Sequence, residues 1–330
     1  MWELGVKEVW KVPQKLDRII HTMGWPLRPQ AKYREFGGSF VYPMGDGMLS
    51  IGMVVGLDYR DPTLSPHDLL QELKSHPKIR PLLEGGERLE WGAKTIPGGG
   101  FHALPKRLHA PGLLFCGDGA GMVNIPTLKG VHYAIEAGRL AAETAFAAFT
   151  RADESPTALA SYDDAVRSGF IGKDLYEVRD MRGAFGRGFV VGAACAGAMS
   201  LSRGRINIGR MRTDADDAHA LLPIDRPVEH PTHDGAFTFD RLSSVFAAGN
   251  KTRDDQPNHI RIQPRVPADV AQLWAHLCPA QVYTVGAAGD DGLVTVDIEP
   301  SNCVQCGAIS AKGGRLTPPE GGSGPEYLLS

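Results

Sequence analysis

The chain has 330 residues, 42% of them hydrophobic, and a net charge of −3. That length allows two or three domains with a real core, and the near-neutral balance offers no basic surface for nucleic acid. No window reaches the roughly 18 consecutive apolar residues of a membrane-spanning helix, and five cysteines, an odd count, favour a reducing compartment over a disulfide framework.

No signal sequence is visible: Trp2-Glu3-Leu4-Gly5 leads at once into folded-looking sequence. Val6, Val9 and Val12 alternate with charged neighbours, a weak strand signal. Phe36–Pro43 and Met48–Tyr59 are β-rich runs around Gly45-Asp46-Gly47, which predicts a hairpin. The Gly37-Gly38 pair at the start of the first run reads either as a strand-start bulge or as a place where backbone amides approach a ligand. Ser65-Pro66 with Asp68 predicts a capped helix start. A second short helical piece over 79–84 is closed by Gly85-Gly86.

Leu113–Cys116 is a continuous apolar run that predicts a buried strand, and Gly117, Gly119 and Gly121 follow it. From Val131 the small or apolar residues fall at Val131, Ala134, Ile135, Gly138, Ala142, Ala145, Phe146 and Phe149, helical spacing with a face flat enough for a sheet. A strand, a glycine loop bearing Asp118 and a helix aimed back at the loop form an anion- and cofactor-binding unit. Spacing alone fits a tight connection equally well.

Beyond Thr150, residues 155–166 predict a polar, capped helix. Gly188–Leu201 is small or apolar throughout, too short to span a bilayer, and is flanked by Arg182, Arg187, Arg203, Arg205, Arg210 and Arg212. It suits a buried core helix or a segment lying in one leaflet. Residues 213–234 read as a linker, within which His230 and His233 are either solvated or metal-binding. Cys278-Pro279, a strand at Val294–Ile298 and Cys303-Val304-Gln305-Cys306 have the layout by which ferredoxin-like folds hold a [4Fe–4S] cluster, since iron in a sulfide cluster takes soft thiolate ligands. Structural zinc fits less well, because no second Cys or His pair accompanies them.

The wording of these segments carries a resemblance. Leu114-Phe115-Cys116-Gly117-Asp118-Gly119-Ala120-Gly121, with Asn124-Ile125-Pro126, Lys129-Gly130, His132 and Ala141-Ala142-Glu143, resembles the second FAD-contacting motif of the electron transfer flavoprotein–ubiquinone oxidoreductases. The first thirty residues, the 76–86 stretch, Tyr162-Asp163-Asp164, Phe239–Val245 and the tail Pro319–Tyr327 are similar to later parts of the same family. The resemblance implies an α/β (α+β) chain. It would hold an FAD/NAD(P)-binding-like sheet-and-helix domain lacking its first βαβ, a β-rich quinone-binding part and a C-terminal ferredoxin-like domain. The implied boundaries are 1–108 for the quinone-binding part, 109–180 for the FAD segment and following helices, 181–212 for a membrane-surface segment, 213–236 for a linker and 237–330 for the iron–sulfur domain.

By the same resemblance Gly117, Asp118 and Gly130 bind FAD, Gly37 and Gly38 line the ubiquinone pocket, and Cys278, Cys303 and Cys306 ligate iron. The implied function is that of an oxidoreductase of the electron transfer flavoprotein dehydrogenase type. It passes electrons from reduced electron transfer flavoprotein, through FAD and an iron–sulfur centre, to ubiquinone, with no side chain acting as acid, base or nucleophile. Its place would be peripheral on the inner (cytoplasmic or mitochondrial inner) membrane surface, with no nucleic acid as partner.

Three departures qualify that reading. Residues 27–36 are longer than the family's equivalent, and no strand–Gly-x-Gly-x-x-Gly–helix element occurs, so the chain reads as truncated or partner-dependent. Position 309, where the family has its fourth cysteine, is Ile309. A [3Fe–4S] centre, a fourth ligand from elsewhere (Ser310 is nearest) or no cluster all remain open. The alternatives in function are a non-catalytic remnant or fragment without complete cofactor sites, and a cluster-less flavin-dependent reductase.

Overall fold

The alternation along the first residues produces strand β1 (Trp2–Lys11), and its inward face reads Leu4, Val6, Glu8, Trp10. β1 lies between β4 (Met48–Gly56), to which it pairs antiparallel from Glu3↔Gly56 to Lys11↔Met48, and β5 (Glu87–Pro97), in a sheet of order β2-β3-β4-β1-β5. β2 is Ile20–Met23 and β3 is Gly37–Gly45. The expected hairpin is β3–β4, turned by Gly45, Asp46 and Gly47, all at positive φ. The computed structural model describes residues 1–153, 155–206, 214–224, 231–253, 255–318 and 322–329. Arg210, Arg212, His230 and residues 319–321 of the tail, all named above, lie outside them.

One compact unit comprises Glu3–Thr95 and Ala215–Ser330, the other Met1–Trp2 and Ile96–Asp214. In the first, the Pro66–Lys74 helix starts as its sequence predicts: the Ser65 hydroxyl accepts the Asp68 amide at 3.2 Å with proline in the first turn. The helix packs on β4 and buries His67, Leu70, Gln71 and Lys74, one face by their spacing. Three of those four are polar. Two of them are satisfied by Glu8: Lys74 Nζ sits 2.9 Å from Glu8 Oε2 with both side chains fully buried, and Gln71 donates to Glu8 at 3.2 Å, while Trp10 Nε1 adds a bond to the same carboxylate at 2.7 Å. Lys74 also donates to the Phe237 carbonyl (2.7 Å), and Gln71 accepts the Phe239 amide (3.0 Å).

Behind Phe239 the same unit adds a small three-stranded antiparallel sheet, with Leu293–Ile298 between Tyr283–Ala288 and Arg265–Pro267, and the helix Ala268–Leu277. In the other unit, the helix Val131–Thr150 packs against Pro156–Ser168, which in turn packs against Phe170–Glu177. Tyr133, Ala137, Tyr162, Val166, Ile171 and Leu175 form their core.

Two expectations are corrected here. Leu113–Cys116 is not a buried strand: only Leu113–Leu114 pairs, with His109–Ala110, and Leu113, Phe115 and Cys116 are exposed. The 131–150 helix does not lay its predicted face on a sheet. Val131, Ile135, Phe146 and Phe149 are 70–77% exposed, and Tyr133, Ala137 and Ala148 are buried instead. The helix is apolar on two sides, and the neighbouring helices take one of them; among the described residues no sheet covers the other.

The buried pair around Glu8 predicts a sharp asymmetry. Burial pushes the Glu8 carboxyl up, but Lys74, Arg88 and the hydrogen bonds from Lys74 and Gln71 outweigh it and hold it below its ordinary 4.5. The contribution is therefore present above that pH and is lost as pH falls through the lowered value. Lys74→Met, which strands the carboxylate, should cost about 3–5 kcal/mol in chemical denaturation, and Glu8→Leu/Lys74→Met together far less. A single variant as stable as the double would refute this.

Candidate functional site

Gly37 and Gly38 sit where β3 passes between β2 and β4, in register with Val55 and Val54. A Cβ on Gly37 would stand 2.0 Å from the Val54 carbonyl oxygen, and one on Gly38 would stand 2.0 Å from the Thr22 oxygen. Strand packing alone therefore requires glycine at both positions. The 27–36 segment beside them is pinned by charge. The Arg28 backbone amide donates to Glu35 at 2.6 Å, the Arg28 guanidinium bridges Glu35 and Asp61, and Arg34 pairs with Asp58 at 3.1 Å.

In the other unit Gly117–Ala120 forms a single 3-10 turn ended by Gly121 at φ 77°. The chain returns through reciprocal bonds between Asn124 and Lys129 and enters the Val131–Thr150 helix at Gly130. No side chain caps that helix, and a Cβ on Gly130 would lie 2.7 Å from Asp118 Oδ1. The loop thus brings Asp118, Gly117 and Gly130 together. Gly117 is at φ 61°, with the Ala134 methyl 3.0 Å from where its own Cβ would be, so neither glycine admits a side chain without a shift. Tyr162 and Asp163 fasten the strand ahead of this loop: the tyrosine hydroxyl donates to the Phe115 carbonyl (2.8 Å), and Asp163 accepts the Leu108 amide (2.9 Å) and bonds His109.

The three cysteines converge on one apolar cavity of ≈ 20 Å³, room for about one water. Cys278 ends the Ala268–Leu277 helix, and its sulfur accepts the Val282 amide at 3.4 Å. Gln305 (φ 53°) and Gly307 (φ 86°) curl the Cys303–Cys306 loop, whose Cys306 carbonyl accepts the Thr95 amide of β5 at 2.8 Å. Burial pushes the Cys278 thiol up against the pull of nearby backbone amides, Cys303 up to about 11 and Cys306 up to about 12, the latter two also by neighbouring cysteines. Thiols in such a place ionise only if a bound cation supplies the charge. A tetrahedral zinc with Zn–S of about 2.3 Å would draw its sulfurs to about 3.8 Å of one another. The described residues hold one group of His, Cys, Asp and Glu with three ligand atoms within 4.8 Å, and it contains no cysteine.

Ile309 lines the same cavity. It is 4% exposed and packs so closely on Gly314 that a Cβ there would meet its Cγ1 at 2.4 Å. Ser310 is exposed and does not line the cavity. The donor set is therefore three thiols and a buried hydrocarbon, which does not fit a four-iron cluster with four protein ligands.

The short apolar helix is Phe189–Leu201, with Gly192, Cys195 and Met199 buried and Phe189, Val190, Val191 and Leu201 exposed. Arg187, Arg203 and Arg205 are exposed as expected. Arg182 is not a surface anchor: it is buried and donates to the Gly98 carbonyl at 2.9 Å. No helix among the described residues is long and apolar enough to cross a membrane.

Residues 2–96 match the family model described as "ETF-QO, ubiquinone-binding", and residues 235–328 match "Electron transfer flavoprotein-ubiquinone oxidoreductase, 4Fe-4S". The chain is 36% identical to the mitochondrial electron transfer flavoprotein-ubiquinone oxidoreductase of Arabidopsis thaliana over 99% of its own length and 53% of that protein. It is 35% identical to that of Sus scrofa over 98% of the chain and 55% of the relative, and 34% identical to that of Caenorhabditis elegans over 98% and 57%. It thus spans just over half the length of these relatives. Among solved structures, a geranylgeranyl bacteriochlorophyll reductase-like protein of Thermoplasma acidophilum matches 62% of this chain and 48% of that one, at 15% identity and a TM-score of 0.47, too distant a likeness to argue from.

The glycine geometry predicts that Gly38→Ala destabilises the protein by more than about 2 kcal/mol, because the new methyl must push a strand backbone aside. Thermal or chemical denaturation measures this without any quinone, and a variant of unchanged stability would show that the strands are not packed this closely.

Proposed function

Because the chain belongs to the electron transfer flavoprotein–ubiquinone oxidoreductase family, we propose that it works as an oxidoreductase module of that type, taking electrons from reduced electron transfer flavoprotein and passing them to ubiquinone at a membrane surface. The observation that carries this reading is the joined geometry of Gly117, Asp118 and Gly130, in a chain whose two ends match the ubiquinone-binding and 4Fe-4S models. FAD supplies the redox chemistry when bound. Asp118 is the acceptor for a flavin-chain hydroxyl, and Gly117 and Gly130 keep the loop and helix end free of side chains so that the flavin can approach. The uncapped start of the Val131–Thr150 helix places about half a positive charge there, which favours electron-rich ligand atoms. In this reading Gly37 and Gly38 line the quinone pocket through their backbone.

The cysteine module is the part that departs from the family. Cys278, Cys303 and Cys306 supply three thiolates, so no electron-transfer step is assigned to a four-iron centre. Buried Ile309 favours a second reading: a flavin-dependent reductase of the same family that works without its cluster. The visible spectrum of the purified protein separates the two, since flavin bands appear with or without an iron–sulfur shoulder. Anaerobic reconstitution of Ile309→Cys should raise iron and sulfide per chain above the wild type. Equal iron in both would mean that the module has lost more than one ligand.

Membrane contact is assigned to the exposed side of the Phe189–Leu201 helix, with Arg187, Arg203 and Arg205 at lipid-phosphate depth. The proposed location is peripheral on an inner membrane, in keeping with the word "mitochondrial" in the relatives' names. The protein should float with liposomes, more strongly with anionic lipid, and Phe189→Asp/Val190→Asp should release it. Wild type that stays soluble at low salt would overturn this assignment.

A further inference from the structure

The first turn of the Pro66–Lys74 helix presents His67 and Asp68 to the turn that carries His233, and each of the three offers a ligand atom within 4.8 Å of the other two. Among the described residues no other His, Cys, Asp and Glu side chains converge this way. His67 is fully buried, and its Nε2 bonds the Phe239 carbonyl at 2.7 Å. Nε2 must then carry the hydrogen, which leaves Nδ1 with a bare lone pair. That Nδ1 is buried with no hydrogen-bond partner, and so is Nδ1 of His233. Two orphaned imidazole nitrogens in one cluster are costly unless something binds them.

His233 is held by a built turn. Asp234 Oδ1 accepts the amides of Ala236, Phe237 and Thr238 at 3.0, 2.7 and 2.8 Å, and the Thr238 hydroxyl donates back to the Thr232 carbonyl at 3.1 Å. The Phe239 carbonyl on His67 is the outer partner that metal-bound histidines use to fix their tautomer and ring orientation. The rings of His67 and His233 are inclined at 67°, so they do not stack. Arg241, which donates to Ser65 Oγ at 3.0 Å, opposes a cation here, and Asp240, whose carboxyl feels His233, offsets it.

The geometry points to a binding site for one divalent transition-metal ion, zinc by its donor set, held by His67 Nδ1, the Asp68 carboxylate and His233. Two imidazoles and one carboxylate are a borderline nitrogen–oxygen set that suits tetrahedral zinc with one exchangeable water, whereas calcium and magnesium take oxygen ligands. The ion joins the helix on β4 to the segment entering the cysteine module. It stabilises the fold by mass action, since the unfolded chain has no such site.

Titration of the metal-free full chain with cobalt(II) tests this. One equivalent should bind with a tetrahedral nitrogen–oxygen spectrum and no thiolate-to-cobalt band, and zinc should displace it. His233→Gln, on the half-buried turn, and Asp68→Asn should each weaken binding at least about tenfold, while Cys303→Ser should leave it unchanged. His67→Gln is a poorer probe because its burial puts folding at risk. No binding near one equivalent, binding unaffected by His233→Gln, or binding lost with Cys303→Ser would each overturn the assignment.

Discussion

The larger unit depends on a charge buried in its central strand. Glu8 takes the inward position between Val6 and Trp10, where alternation calls for an apolar side chain. An isolated carboxylate there would be untenable. It is tenable because Lys74 and Arg88 face it, at 2.9 and 3.8 Å, and because Gln71 and Trp10 donate to it. The same cations are shared onward. Lys74 lies 5.0 Å and Arg88 3.5 Å from the Phe239 ring centre, and Lys74 bonds the Phe237 carbonyl 163 residues away in sequence. Buried pairs of this kind add little net stability but select one arrangement over others, because any docking that separates them strands a charge. Here the arrangement selected is the one that seats the C-terminal module's entry segment on the helix beside β4.

The cysteine module has packed core where the family resemblance implies a fourth ligand. Its backbone keeps the means of holding thiolates: amides directed at Cys278 and Cys303, and two left-handed residues that curl the loop. Yet all three thiols are pushed up, mainly by burial, and Ile309 lines the cavity and packs on Gly314. A hydrocarbon in that place gains burial energy of its own, about 1.5–3 kcal/mol for a fully buried side chain. The apolar packing that stabilises the module therefore works against opening it for a larger ligand.

Local signals in the sequence identified what local physics decides. Ser65-Pro66 marks a cap, Gly45-Asp46-Gly47 marks a hairpin turn, and the spacing from Val131 marks a helix, and all three stand in the structure. The residue pattern offers the Asp118–Gly130 approach as one of two readings, and the family wording favours it, because contact between a loop and a helix start has no fixed spacing. Partner choice was not legible. The face of the 131–150 helix is readable, but which face finds a neighbour depends on elements elsewhere, and the neighbouring helices took the other one. Glu8, His67 and Lys74 were invisible as core residues because a lone charged or imidazole side chain reads as solvent-facing until its partner, 66 residues away for Glu8 and Lys74, is known.

Two buried lysines, Lys74 and Lys312, lie where distant stretches of chain meet. Perturbed groups commonly mark catalytic sites, yet Glu8, Lys74 and Lys312 mark seams between distant stretches of chain. Lys312, pushed down to about 8 chiefly by burial, donates to the carbonyls of Tyr59 (3.2 Å) and Asp216 (2.8 Å), the first 253 residues away, while its own carbonyl accepts the Trp274 indole at 2.7 Å. Glu8 and Lys74 do the same beneath Phe237 and Phe239. At each seam a long cationic side chain satisfies carbonyls that lack a strand or helix partner, where an apolar residue would leave them buried and unpaired. The burial of Lys74 and Lys312 is thus explained by how distant segments are joined.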